Sequence, residues 1–252
     1  MSDLLKLYLG LFIVFNIGFL VYLRTNQLKV VDLFWGMGHL YMAFASFLQN
    51  ITDDKRPRIC LLLISFWAIR LTVYLFIRNC NKGEDFRYQK LKDNWQGSIK
   101  LNAYFKIFMF QASVLAITSL SIVCIMNGPF EKKLIWLDYL GIILFIIGFL
   151  WETIADTQLF IFKKNNPQKY FSGGLWKYCR HPNYFGEILL WWGIWVFSIS
   201  SGYWYYTIIA PILIHFMILK VSGIPFLRRK FNKSIDSSIY ESKSNALIPK
   251  FF

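Results

Sequence analysis

Cysteine is scarce and scattered in this chain. Cys60, Cys80, Cys124 and Cys179 are the four it has, and no two stand at the spacing that a structural zinc site needs. That excludes a zinc module and a disulfide scaffold, and no metal ligand set is expected. Acidic residues are few as well, 14 against 28 Lys and Arg, which leaves a formal net charge of +14. No internal repeat, low-complexity tract or Pro/Gly/Ser-rich linker divides the sequence, so residues 1–252 are read as a single domain. Charge of either sign is absent from Ile188 to Leu219.

What fills the chain instead is apolar and aromatic. Hydrophobic residues make up 56% and aromatic ones 19%, with a mean hydropathy of +0.41, above the apolar share of an ordinary soluble domain. An all-α integral membrane protein is the expected class. A span takes about 20 apolar residues, and the uncharged runs predict seven, over approximately 4–23, 30–50, 59–78, 104–127, 134–158, 182–198 and 203–220, followed by a polar tail over 221–252. The long last run is divided at Ser198-Ile199-Ser200-Ser201-Gly202. The first run is too long and aromatic for a signal-peptide core, and no small-residue cleavage site follows Leu23, so it is expected to be retained. Seven spans put 20 of the 28 Lys and Arg on one face. By the positive-inside rule that face is cytoplasmic and the N-terminus lies outside, in a bacterial inner membrane or the endoplasmic reticulum. Because the basic residues border spans instead of forming a soluble module, nucleic-acid binding is excluded. Cys80 and Cys179 then face a reducing compartment.

Three groups of residues point to chemistry. The first is the stretch from Gly173 to Glu187, where Pro182 suits the first turn of a helix. Such a start aims the N–H groups of Asn183 and Tyr184, with Arg180 and His181, at one point outside the helix, which is an anion site. The second is Glu152 and Asp156, one helical turn apart at the end of the fifth span, which call for cations or donors from the 163–180 loop. The third is Arg70, about eight residues or roughly 12 Å of helix from Arg78. An arginine at that depth is expected to meet a carboxylate or an anionic ligand, and Asp32 is the candidate partner.

Several stretches together resemble a known group: Gly-Gly-Leu-Trp-x-Tyr-x-Arg-His-Pro-Asn-Tyr-Phe-Gly-Glu at 173–187, Arg70 with Glu84-Asp85-Phe86-Arg87-Tyr88, Val31-Asp32-x-x-Trp35-Gly36, and Val221-Ser222-Gly223-Ile224-Pro225. They look like the uncharacterised microbial branch of the steroid 5-alpha-reductase superfamily, over nearly the whole chain. Arg-His-Pro-x-Tyr alone is shared with sterol C14-reductases and isoprenylcysteine methyltransferases. The resemblance implies a seven-helix bundle holding NADPH in a cytoplasm-facing cavity and passing hydride to a conjugated C=C of a lipid or steroid-like enone. Carried over by position, Asp156, Tyr178, Asn183 and Glu187 match cofactor-contacting places, and Arg180 and His181 match a cationic pair; Tyr184 is expected beside them. The steroid enzymes polarise a ketone with a Glu in span two and a Tyr in span three. Here Asp32 and Trp67 stand at those places; Trp67 cannot give up a proton as a phenol can, so either Tyr74, two turns along the same face, substitutes beside Arg70, or the substrate needs no such acid. The chain also departs from the branch at Phe226-Leu227-Arg228-Arg229 and at Ser237 with Tyr240. Two other readings stay open, an S-adenosylmethionine-dependent methyltransferase of the isoprenylcysteine or phospholipid type and a non-enzymatic lipid-binding membrane protein.

Overall fold

The computed structural model describes residues 3–80, 82–128, 133–166, 169, 171–221 and 245–250. The resemblance at 222–225 and the departures at 226–229, 237 and 240 lie outside the described residues. Among those described, the regular structure is helical, with one isolated β-bridge between Cys179 and Asn245. Five helical stretches are long and apolar enough to cross a membrane: Asp3–Thr25, Lys55–Asn79, Ile99–Thr118, Trp136–Asn165 and Trp204–Val221. The chain is a multi-pass membrane protein. Its exposed residues include Ile13, Ile17 and Leu20 on the first helix and Phe66, Ile69 and Val73 on the third, apolar surface that lipid would cover.

The chain forms two compact units, 1–134 with 200–209, and 135–199 with 210–252. In the first, α1 (Asp3–Thr25) buries Leu7, Leu11, Phe15, Gly18 and Tyr22, a stripe at helical spacing. It packs beside α2 (Val31–Gln49), where Gly18 leaves room for Phe34. The third helix, α3 (Lys55–Asn79), starts at Asp54, whose side chain accepts from the Arg56 N–H at 3.0 Å. It approaches α2 closely: a Cβ on Gly36 would lie 2.8 Å from the Ala68 carbonyl oxygen. A short helix, α4 (Phe86–Asp93), follows with Asp85 as its N-cap.

The expected span at 104–127 is a broken rod. It begins earlier, at α5 (Ile99–Ala103), passes through a π-helical turn over Tyr104–Met109 into α6 (Phe110–Thr118), and breaks at Ser119 before α7 (Leu120–Asn127). The π turn sets Tyr104 and Phe108 against Phe19 of α1, with ring centroids 4.9 and 5.5 Å away. At the break, the Thr118 and Ser119 hydroxyls bond the carbonyls of Leu115 and Ala116, the back-bonding that bends helices. The last stretch is interrupted too. After α10 (Trp204–Thr207) comes α11 (Ile209–Phe216), where Pro211 has no N–H to give the carbonyl of residue 207. The Ser121 hydroxyl donates to that carbonyl instead, at 3.2 Å.

The second unit is built on α8 (Trp136–Asn165) and α9 (Pro182–Ser198). Asp138 is fully buried and accepts from the Ile135 N–H at 2.7 Å, a negative group at a positive helix end. Each helix carries two glycines seven residues apart, and they meet in antiparallel order. A Cβ on Gly148 would lie 2.5 Å from Leu190 N and 2.6 Å from Gly186 O, and one on Gly193 would lie 2.6 Å from Phe145 N and 2.8 Å from Gly141 O. The two backbones therefore touch, as small residues allow in membrane helices.

Gly148→Ala should separate α8 from α9 and lower the thermal unfolding midpoint in detergent by several degrees. Gly83→Ala, where an added Cβ meets nothing within 4 Å, should leave it unchanged. Equal midpoints for the two variants would show that the close approach contributes nothing.

Candidate functional site

Close packing of α8 on α9 carries Glu152 and Asp156 to the start of α9. Both are buried, at 3% and 4% exposure. Asn183 donates from Nδ2 to Asp156 Oδ1 at 3.2 Å, and a Cβ on Gly186 would lie 2.5 Å from Glu152 N. The loop before α9 is docked on α8: Trp176 Nε1 donates to the Ala155 carbonyl and Leu175 N to Gln158 Oε1, each at 3.0 Å. Gly174, with φ +55°, sits where a Cβ would strike the Gln158 amide at 2.5 Å, so both conformation and space require glycine. From the far end of the chain, the carbonyl of Asn245 accepts from Arg180 N at 3.0 Å and the N–H of Lys250 donates to Tyr178 O at 2.9 Å.

Among the described residues, two polar atoms here are buried without a hydrogen-bond partner, His181 Nδ1 and Asn183 Oδ1. His181 is the N-cap residue of α9, makes no side-chain cap bond and is 8% exposed; its ring lies 5.5 Å from that of Tyr184. Burial, and then the charge of Arg180, push its pKa down to about 4. That shift favours the neutral imidazole at pH 7 beside the charged Arg180. Tyr178, Arg180, Asn183, Tyr184 and Glu187 are all half-buried around this point or on the first two turns of α9.

Asp32, Arg70 and Tyr74 lie in the other unit. The expected Asp32–Arg70 pair is replaced. Asp32 takes Arg87 Nη2 at 3.0 Å on one oxygen and the Tyr88 hydroxyl on the other. The reason is a clasp formed by residues 84–92. Glu84 accepts from Leu28 N at 2.7 Å and Lys29 N at 3.1 Å, capping the turn into α2, and pairs with Lys92 at 2.8 Å. Lys29 in turn donates to the carbonyls of Asn79, Lys82 and Gly83 past the end of α3. Burial alone would raise the Asp85 carboxyl, but the hydrogen bond and charge of Arg87 outweigh it and hold the pKa below the usual value. Burial first and the Asp32 charge next raise Tyr88 well above the ordinary phenol. Arg70 packs over the Tyr74 ring, 5.4 Å from its centroid. Trp67, at the place of the expected phenol, is fully buried and its ring lies 5.4 Å from that of His39.

The model of the family described as a protein of unknown function, DUF1295, matches residues 18–245, most of the chain. The chain belongs to the DUF1295 family. That family stands within the steroid 5-alpha-reductase-like group. The chain is also similar to an uncharacterised protein of Schizosaccharomyces pombe, 26% identical over 214 residues, which cover 74% of this chain and 62% of the relative. It thus spans less than two thirds of that relative's length. Sequence reasoning passed over Arg87 and Tyr88 as Asp32's partners, although they stand in the same Glu-Asp-Phe-Arg-Tyr run that resembles the group.

The buried neutral imidazole has a pH signature. The unfolded chain takes up a proton near pH 6.5 and the folded chain only near 4, so this stability is present above pH 6.5 and lost as pH falls toward 4. The drop from 6.5 to about 4 corresponds to on the order of 3 kcal/mol. His181→Gln should flatten that part of the stability profile between pH 6.5 and 4. An acid limb of unchanged depth in the variant would mean that His181 is not buried in its neutral form.

Proposed function

We propose that this DUF1295 protein is a membrane-embedded, NADPH-dependent reductase acting on a conjugated C=C of a lipid or steroid-like enone. The observation that supports it best is the pair of buried atoms at the start of α9 that find no hydrogen-bond partner among the described residues, His181 Nδ1 and Asn183 Oδ1, beside the buried Asp156. Orphaned buried polar atoms cost stability unless something meets them. A dinucleotide offers what they lack, with amide donors, hydroxyls and phosphates in one molecule. NADPH, when bound, would supply the hydride.

The chain's own residues then have distinct tasks. Arg180 meets phosphate charge, including the 2′-phosphate that separates NADPH from NADH. Asp156 and Glu187 accept hydroxyl hydrogen bonds, as an acidic residue does toward ribose in other dinucleotide sites. Asn183 divides its amide, donating to Asp156 and leaving its oxygen for the ligand. Tyr178 and Tyr184 give aromatic edges to the same place, and neutral His181 offers a hydrogen bond without adding charge. On the substrate side, Tyr74 brings a phenol hydroxyl, which Trp67 does not, and Arg70 brings a positive charge. Asp32, anchored by Arg87 and Tyr88, orients this end of α2 and carries the polar contact to substrate.

The same reading takes α2 and α9 as two further spans, making seven, with the N-terminus outside and the C-terminus cytoplasmic. Helix α2 is 19 residues long, and α9, at 17, continues directly into the turn at Ile199–Ser201. A second reading draws on the buried Glu152 and Asp156: two carboxylates one turn apart suit a cationic sulfonium, as in S-adenosylmethionine.

Titration of the purified protein with NADPH, NADH and S-adenosylmethionine separates the readings. NADPH should bind more tightly than NADH, and Arg180→Ala should weaken NADPH preferentially, by tenfold or more. S-adenosylmethionine binding without NADPH binding would make the protein a methyltransferase; binding of neither would leave a lipid-binding protein. For the topology, Ser172→Cys should react with an impermeant maleimide from the cytoplasmic side and Thr52→Cys from the opposite side. Labelling of both from one side would overturn the seven-span arrangement.

A further inference from the structure

Where α1 starts and α2 and α7 end, the first unit holds a cavity of about 400 Å³ lined by Asp3, Leu4, Gln49, Asn50, Val123 and Asn127, a size that suits a small ligand. It lies at the opposite end of α1 and α2 from the Glu84 clasp. One helical turn deeper the same helices carry Tyr8, at i+4 from Leu4, and Ser46, at i−3 from Gln49, so each shares a face with a wall residue. Ser46 is fully buried, and neither its hydroxyl nor that of Tyr8 has a hydrogen-bond partner among the described residues. A helical serine ordinarily turns its hydroxyl back to the carbonyl one turn earlier, as Ser113 does to Met109 at 2.9 Å; Ser46 leaves that of Met42 untaken. Tyr8 stands near Ser119 without bonding to it, and the Ser119 hydroxyl donates to the Ala116 carbonyl. Buried hydroxyls cost stability unless a partner meets them.

The walls specify that partner. Asn127 donates from Nδ2 to the Val123 carbonyl at 2.9 Å, and Gln49 from Nε2 to the Asp3 carbonyl at 3.0 Å. Both amides thus turn an N–H to main chain and keep their oxygens to accept. None of the six lining residues is a cation, and Asp3 is paired with Lys6 at 2.7 Å. Phosphate and carboxylate groups, which only accept, find little here, whereas a hydroxyl donates to the amide oxygens and both donates to and accepts from Tyr8 and Ser46. Leu4 on the wall, and Leu48 and Ile51 beside Gln49 and Asn50, are exposed and apolar, a surface for a hydrocarbon tail.

We propose that this cavity binds the glycerol end of an uncharged, single-tailed amphiphile, with Tyr8 and Ser46 meeting its vicinal hydroxyls. The site stands whether or not the protein is a reductase, and binding measures it without turnover.

The test uses the full chain in phosphatidylcholine nanodiscs, titrated with tritiated 1-oleoylglycerol against methyl oleate, oleyl phosphate and free glycerol as competitors, and melted without added ligand. The parent should bind 1-oleoylglycerol saturably, at least tenfold more tightly than methyl oleate or oleyl phosphate. A variant with both Tyr8→Phe and Ser46→Ala should lose that preference. Its ligand-free thermal midpoint should equal or exceed the parent's, because the substitutions remove two hydroxyls that nothing in the protein meets, and this excludes a folding defect. Equal competition by methyl oleate, or an unaltered preference in the double variant, would overturn the site. Oleyl phosphate binding as tightly as 1-oleoylglycerol would overturn the neutral headgroup, and glycerol binding as tightly would overturn the lipid assignment. A ligand-free midpoint several degrees below the parent's would mean that water already meets both hydroxyls, and would overturn the role given to them. A parent protein that binds 1-oleoylglycerol but not NADPH would uphold the site and sink the reductase reading.

Discussion

Backbone contact between α8 and α9 is the constraint on which the second unit depends. Gly141 and Gly148 on one helix and Gly186 and Gly193 on the other let main chain meet main chain between them. The distance between the helices is thereby set by main chain alone, which does not change rotamer or swing aside. Asp156 and Asn183 meet because of it, since neither could reach the other across a gap filled by leucines. The same approach buries Glu152 and Asp156, and burial makes these carboxylates chemically consequential: a charge kept from water must be met by a donor.

The first unit uses a different device. Glu84 closes the entrance to α2 by accepting from Leu28 and Lys29, and Lys29 closes the exit of α3 by donating to carbonyls. Each residue satisfies backbone groups that a helix end leaves open. The short helix α4 is held by these two ends, and Arg87 and Tyr88 arrive at Asp32 as part of it. A helix of eight residues is marginal alone, so its position comes from the clasp.

Much of the fold could be read from the residues because membrane helices announce themselves by composition. Pro182, shortly before the uncharged run that starts at Ile188, marks α9, and the structure places it at Pro182–Ser198. The i, i+4 spacing of Glu152 and Asp156 was equally plain, and both face the start of α9. Harder to read were properties that exist only after packing. His181 looks like a cation in sequence, whereas burial beside Arg180 pushes its pKa down to about 4. Asp32 and Arg70 looked like partners because both sit in apolar surroundings, yet the loop after α3 folds back and offers Arg87 first. The breaks at Ser119 and near Thr207 were hidden inside hydrophobic runs whose hydropathy says nothing of hydroxyl back-bonding. The seven-residue glycine spacing was visible and carried a meaning that shows only when the two helices are set side by side.

The hydrogen bonds that Arg180 and Tyr178 make with Asn245 and Lys250 impose an order on synthesis. The segment leading into α9 leaves the ribosome well before its partners, which follow only after α10 and α11. During that interval the backbone at 178–180 lacks two of its bonds, and the polar start of α9 waits beside α8 incomplete. The loop before α9 is therefore complete only in the finished protein and not in the one still being made.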